Sequence, residues 1–185
     1  MKNKSKKIWA KAKKLIPTGN HLLSKHPDIF LPNQWPEYYK KAKGIYIWDH
    51  NDEKYIDMCL MGVGTNILGY ANNNIDKQVI KSIKNSNMSS LNNINEYYLA
   101  KELIKLHPWF DMAKFARTGA EANAIALRIS RAYTGKENVA VCGYHGWHDW
   151  YLAANYNKKN LDSHLFPNLK SKGVVKILKK NIFSF

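Results

Sequence analysis

The chain has 185 residues, 45% of them apolar, which is ordinary globular usage and enough for one domain with a real core; no apolar run is long enough for a membrane span. Its formal net charge of +15 suits nucleic acid or an anionic surface, but the lysines are scattered among asparagines and no nucleic-acid fold signature accompanies them, so a solvated lysine-rich surface is the expected use. Cys59 and Cys142 both stand in apolar strand contexts, so free buried thiols are expected rather than a disulfide, and the basic start lacks a signal-type apolar block, so a cytoplasmic protein is expected.

The first element is a helix over Lys4–Leu15, with Ile8, Trp9, Ala12 and Leu15 spaced to share one face. Pro17 ends it. An arm docking on its own domain or on a partner is the expected role, ahead of membrane binding. Residues 20–43 read as a loop bearing prolines and aromatics. Residues 45–48 and 54–57 read as the strands of a hairpin around the turn-prone cluster 49–53. A glycine-bearing loop follows over 62–69, then helices over 76–83 and 95–106, the second stopped by Pro108.

The stretch from Phe115 to Trp150 carries the most chemistry. Residues 114–117 read as a strand. Thr118 and Glu121 then stand three apart, a capping-box signature for the next helix. Ala122, Ile125, Ala126, Ile129, Ala132 and Tyr133 recur at helical spacing on one face, with Asn123, Arg128 and Arg131 away from it. Gly135 marks the helix end. The helix start has unpaired N–H groups and a positive dipole end, and Gly119 allows close approach, so it can hold a phosphate. Spacing alone does not separate that use from a plain cap, and plain caps are commoner. Residues 139–142 form a short apolar run suited to a strand next to 114–117. Gly143-Tyr-His-Gly-Trp-His-Asp-Trp150 follows it. Ligands of open α/β sheets sit beyond the carboxyl ends of strands, so Thr118-Gly119 and Tyr144-His145 can face one crevice. Core packing of Tyr144, Trp147 and Trp150 is the simpler alternative. His145, His148 and Asp149 mimic metal spacing but lack a further ligand cluster, so no metal site is expected.

Thr118-Gly119-Ala120-Glu121-Ala122 and Tyr144-His145-Gly146 resemble the phosphate-binding turn and aromatic loop of the class III aminotransferases, in the branch of glutamate-1-semialdehyde 2,1-aminomutase. Ile16-Pro17-Thr18-Gly19, Gly62-Val-Gly-Thr-Asn-Ile-Leu-Gly69 and Glu96-Tyr-Tyr-Leu-Ala100 extend the resemblance along nearly the whole chain. The resemblance implies an α/β fold: an N-terminal arm and hairpin over 1–60, then a partial large domain of a fold type I pyridoxal phosphate-dependent transferase over 61–185. It implies that the backbone of Gly119 and Ala120 holds the cofactor phosphate with Thr118 beside it. Tyr144 would lie against the pyridine ring, with His145 next to it. It also implies the loop 62–69 at the cleft border, a small-molecule amino donor or acceptor, and a homodimer, with neither nucleic acid nor membrane as partner. Two positions depart from the family pattern. Ala120 replaces a usual hydroxyl residue, and Arg117 stands where many relatives have a small polar one; Arg117 is open to two roles, charge toward an anion or a pair with Glu121.

The chemistry of that family also needs a lysine to form a Schiff base and a carboxylate against the pyridinium nitrogen. In the family both follow the Tyr-His-Gly loop. Residues 155–185 offer no matching segment, and the lysines from Lys158 to Lys180 lie in a polar, irregular stretch with no buried strand to position one, so no catalytic residue is assigned. The end reads as an early stop, a split gene or a clipped chain. Three function classes follow. The first is the N-terminal half of an aminotransferase or aminomutase acting on a small aldehyde, keto or sugar substrate, with a weak leaning to amino-sugar chemistry. The second is a non-catalytic remnant or partner subunit, and the third a basic module binding anions or nucleic acid.

Overall fold

A computed structural model describes residues 4–59, 61–156 and 171–185. The chain forms two compact units, Met1–Leu91 and Asn92–Phe185.

The first unit opens with α1 (Lys4–Leu15). Its covered stripe is Ser5, Trp9 and Ala12, spaced four and three apart. Of the four residues expected on that face, Ile8 and Leu15 are exposed. Trp9 sets the stripe, because its ring lies edge-on to His26 at 5.3 Å and Tyr38 at 6.3 Å. The backbone of Gly19 lies directly under that ring: a β-carbon there would come within 2.6 Å of it. The helix is thus an arm docked on its own unit. A short helix α2 (Pro27–Phe30) follows.

The expected hairpin is present as β2 (Tyr46–Asp49) and β3 (Lys54–Ile56), antiparallel. Buried Asp49 makes the turn, accepting from the backbone N–H of Asn51 at 2.7 Å and of Glu53 at 3.0 Å. An additional strand, β1 (Tyr39–Lys43), lies in the segment expected to be loop and pairs with β2 across a bulge. Its sequence, Tyr-Lys-Lys-Ala-Lys, has no apolar alternation to announce it. What holds it is the ladder to β2, with Lys41 over the Trp48 ring at 4.4 Å. Helix α3 (Asn73–Lys84) begins earlier than expected because the Asn72 side chain caps it, accepting from the N–H groups of Asn74 and Ile75.

The second unit contains α4 (Ile94–Leu106), α5 (Gly119–Thr134), β4 (Val139–Val141), a short helix α6 (Asp149–Leu152) and β5 (Ile182–Ser184). β4 and β5 are parallel, with Val139 opposite Ile182 and Val141 opposite Ser184. Val141, Tyr151, Ala154 and Ile182 form the core, packed by Val139, Trp150 and Leu152.

Three expectations are corrected here. Residues 114–117 form no strand: a strand exists by its ladder, and among the described residues β4 pairs with β5 and not with this segment. That partner, with Ile182 buried, comes from just past the stretch Lys158 to Lys180 that was expected to be irregular; Lys158, Lys159 and Lys170 lie outside the described residues. Cys59 and Cys142 are free, as expected, but both are exposed, because each stands just past a strand end. On α5 the half-covered residues include Ala120, Asn123, Ala124, Leu127 and Arg131, one continuous helical face. Ile125 of the expected face is half-covered too, but Ile129 and Tyr133 are open. Among the described residues no helix is long and apolar enough to cross a membrane.

Candidate functional site

The start of α5 is a complete capping box. The Thr118 hydroxyl accepts from the N–H of Glu121 at 3.2 Å. The Glu121 carboxylate accepts from the N–H of Thr118 and of Arg117, both at 3.0 Å. Arg117 therefore meets Glu121 through its backbone and not its guanidinium, and among the described residues the guanidinium makes no ion pair. Two donors are left over. Among the described residues the N–H groups of Gly119 and Ala120 have no hydrogen-bond partner. They point out of the positive end of a 16-residue helix. The space in front is open: a β-carbon on Gly119 would meet nothing within 4 Å. The Thr118 hydroxyl also keeps its own proton to donate, since the cap uses only a lone pair.

The second half of the site follows β4. Tyr151 is wholly buried, and its hydroxyl donates to the Gly143 carbonyl at 3.1 Å. His145 Nδ1 meets the same carbonyl at 2.9 Å. A carbonyl can only accept, so Nδ1 carries the hydrogen, and in the neutral ring Nε2 keeps its lone pair. This knot fixes the loop. Tyr144 is left half-open beside it, its ring 6.1 Å from both Trp147 and Tyr151 and edge-on to each. Partial burial pushes the Tyr144 phenol up from its ordinary range, so it stays protonated. The Tyr151 phenol is raised too, first by burial and then by Tyr144, with a backbone hydrogen bond from His145 opposing.

The two halves meet. Gly146 is buried against the first turn of α5, at φ +97. A β-carbon on it would stand 2.5 Å from Ala120 Cβ. The Asn123 side-chain amide donates to the His145 carbonyl at 3.2 Å. Thr118, Gly119, Ala120, Tyr144 and His145 therefore belong to one cluster, although only Tyr144 and His145 follow a strand; the expected strand before Thr118 is absent, and the packing of Gly146 on α5 joins the two segments instead. The Ala120 side chain is used to seat Gly146. Reasoning from the sequence missed Asn123, which periodicity placed off the packed face. Its signal was available: asparagine is a poor residue for a helix interior unless its side chain has a partner. Among the described residues no group of three or more His, Cys, Asp or Glu is placed to hold a metal.

This arrangement fits a phosphorylated planar ring. N–H donors at a positive helix end, free among the described residues, suit the phosphate, and a half-open aromatic in the loop packed on that helix suits the ring face. Pyridoxal phosphate has both parts.

Comparison with known proteins shows the family and the fold. The family profile described as aminotransferase class-III matches residues 32–182. The 3-aminobutyryl-CoA aminotransferase of Cloacimonas acidaminovorans is 38% identical over 148 residues, covering 80% of this chain and 35% of that protein. The glutamate-1-semialdehyde 2,1-aminomutase of Methanothrix thermoacetophila is 35% identical over 152 residues, covering 81% of this chain and 34% of that protein. The chain thus spans about a third of the length of these curated relatives. Among solved structures, a transaminase with pyridoxal phosphate bound covers 100% of this chain and 42% of its own, at TM-score 0.80 and 22% identity. A glutamate-1-semialdehyde aminomutase from Pseudomonas aeruginosa covers 98% of this chain and 38% of its own, at TM-score 0.69 and 18% identity. The fold is that of part of a pyridoxal phosphate-dependent class III transaminase, and the chain belongs to the class III aminotransferase family.

Proposed function

We propose that this chain supplies the phosphate grip and the ring face of a pyridoxal phosphate-dependent aminotransferase or aminomutase acting on a small amino or carbonyl compound. One observation carries the reading: the N–H groups of Gly119 and Ala120, unpartnered among the described residues, lie in the same cluster as the half-open ring of Tyr144. Pyridoxal phosphate, when bound, supplies an aldehyde carbon that takes an amine and a ring that withdraws electrons. In this chain Gly119, Ala120 and the Thr118 hydroxyl hold the phosphate. Tyr144 covers one ring face and excludes water from it. His145, locked by Gly143, orients Tyr144. The amine-bearing lysine and the carboxylate facing the ring nitrogen are assigned to no residue here, so turnover needs further polypeptide, in a homodimeric assembly. Residues 61–185 belong to the cofactor-binding domain in this reading.

The relatives include both an aminotransferase and aminomutases, so the reading keeps both reactions. The reading as a partner subunit is favoured by a separate observation. Neither α4 nor α5 buries a residue, and Met112 and Tyr133 lie open to solvent. Helices of this length draw most of their stability from a packed face, so a covering polypeptide is expected.

The test is retention of pyridoxal phosphate in equilibrium dialysis, followed by borohydride reduction and peptide mapping. Tyr144→Ala should lose cofactor while Tyr133→Ala, 91% exposed in the same unit, should not. Tyr38 is unsuitable as a control because it packs on Trp9. Equal retention by both variants removes Tyr144 from the site. A stoichiometric pyridoxyl adduct on one lysine of this chain, with turnover, contradicts the need for further polypeptide.

A further inference from the structure

The two halves of the site are each braced from within. The α5 start is held by its own cap, through Thr118 and Glu121. The aromatic loop is held by the Gly143 carbonyl, which takes both Tyr151 and His145. Neither brace sets where one half stands relative to the other. The packing of Gly146 on Ala120 limits how near they come, but van der Waals packing permits sliding. A hydrogen bond is directional and does not. Such a bond runs from the Asn123 amide, on α5, to the His145 carbonyl, 22 positions along the chain. Asn123 lies three residues after Ala120, one turn up the same helical face. The carbonyl it holds is in the residue between Tyr144 and Gly146.

Resting on the cofactor reading above, we infer that Asn123 is a positioning residue: its amide fixes the Tyr144 ring at a set height over the free N–H groups of Gly119 and Ala120. It touches no ligand itself. It matches the distance between ring platform and phosphate grip to a ligand that carries both parts. A ligand that uses the phosphate grip alone has no need of it.

That difference gives the test. Asn123→Leu keeps the branched shape, adds no charge and removes the donor; Asn123→Ala repeats the loss with a smaller side chain. Dissociation constants for pyridoxal phosphate and for inorganic phosphate are measured on the whole chain and on both variants, with amide hydrogen exchange followed alongside. A part-buried hydrogen bond of this type changes an equilibrium by roughly 2- to 12-fold. Pyridoxal phosphate should therefore bind roughly 2- to 12-fold more weakly in both variants, with inorganic phosphate unchanged. Exchange at the amides of residues 144–147 should speed up by a similar factor, while the amides of Arg117 and Thr118, held by Glu121, should not change. Equal weakening of both ligands would mean a merely structural role and overturns the inference. So does unchanged exchange in the loop. If the unaltered chain binds phosphate but no pyridoxal phosphate, the cofactor reading falls, and the exchange result alone decides whether Asn123 positions the loop.

Discussion

Replacing Gly146 by alanine attacks the seam between the two halves of the site. The new β-carbon would lie 2.5 Å from Ala120 Cβ and 2.9 Å from Ala120 Cα. Two bonded atoms of one helix residue would have to give way, and one of them is backbone. Overpacking of this kind costs about 1–3 kcal/mol. The backbone at φ +97 adds strain of about 1–2 kcal/mol for a residue with a side chain. The sum, about 2–5 kcal/mol, should open the loop from α5 and collapse amide protection over residues 144–147. Trimming the other side should restore part of it. Ala120→Gly removes the nearer atom but leaves the strain and the crowding against the helix backbone. In a double-mutant cycle the pair should therefore couple by part of the overpacking cost, about 1–2 kcal/mol. Hydrogen exchange of the wild type, both single variants and the double variant gives the four values. Additivity to within about 0.5 kcal/mol would refute the claim that Gly146 is seated on Ala120.

Other consequences follow from the first unit. The Tyr70 phenol is pushed up to about 12, first by burial and then by its 2.5 Å hydrogen bond to Asp57, and Tyr55 reaches about 12 by burial and its bond to Glu53. A folded-state value raised above the ordinary 10.0 contributes stability that is complete below pH 10.0 and lost as pH rises through about 12. An ultraviolet tyrosinate titration should show these two phenols ionising after the exposed ones. Asp57→Asn should lower the Tyr70 value only in part, and an unchanged titration would contradict the Tyr70–Asp57 bond. Gly19→Ala places a carbon 2.6 Å from the Trp9 ring and 2.9 Å from Lys13 Cγ, so it should destabilise the unit by about 1–3 kcal/mol in urea unfolding followed by tryptophan fluorescence. A midpoint equal to wild type would mean that Trp9 does not anchor α1.

Local chemistry was legible in the sequence wherever a residue acts on its own neighbours. Thr118, Glu121 and Gly135 marked both ends of α5, and the 49–53 cluster marked the hairpin, because caps and turns are closed within a few residues. What a face or strand meets was not legible. Alanine and isoleucine spacing grouped residues on α5 correctly as neighbours, yet the loop after β4 seats on the face of Ala120 and Asn123. The β1 strand has no pattern of its own and exists by its pairing with β2. The segment 114–117 has a strand-like composition but no partner among the described residues. Thr118, Gly119, Ala120, Tyr144 and His145 were singled out through the family motif, whereas Asn123 was not, since its hydrogen bond goes to a carbonyl 22 residues away.

The most direct measurement of the central claim compares cofactor and phosphate binding by the unaltered chain and Gly119→Val. A β-carbon at Gly119 meets no protein atom within 4 Å, so the substitution should leave circular dichroism and unfolding little changed. It would instead fill the space that a phosphate needs in front of the free N–H groups of Gly119 and Ala120. The predicted result is measurable binding of pyridoxal phosphate and of inorganic phosphate by the unaltered chain, and loss of both in Gly119→Val with the fold intact. Equal binding of the two ligands by both proteins would contradict the placement of the phosphate at the start of α5.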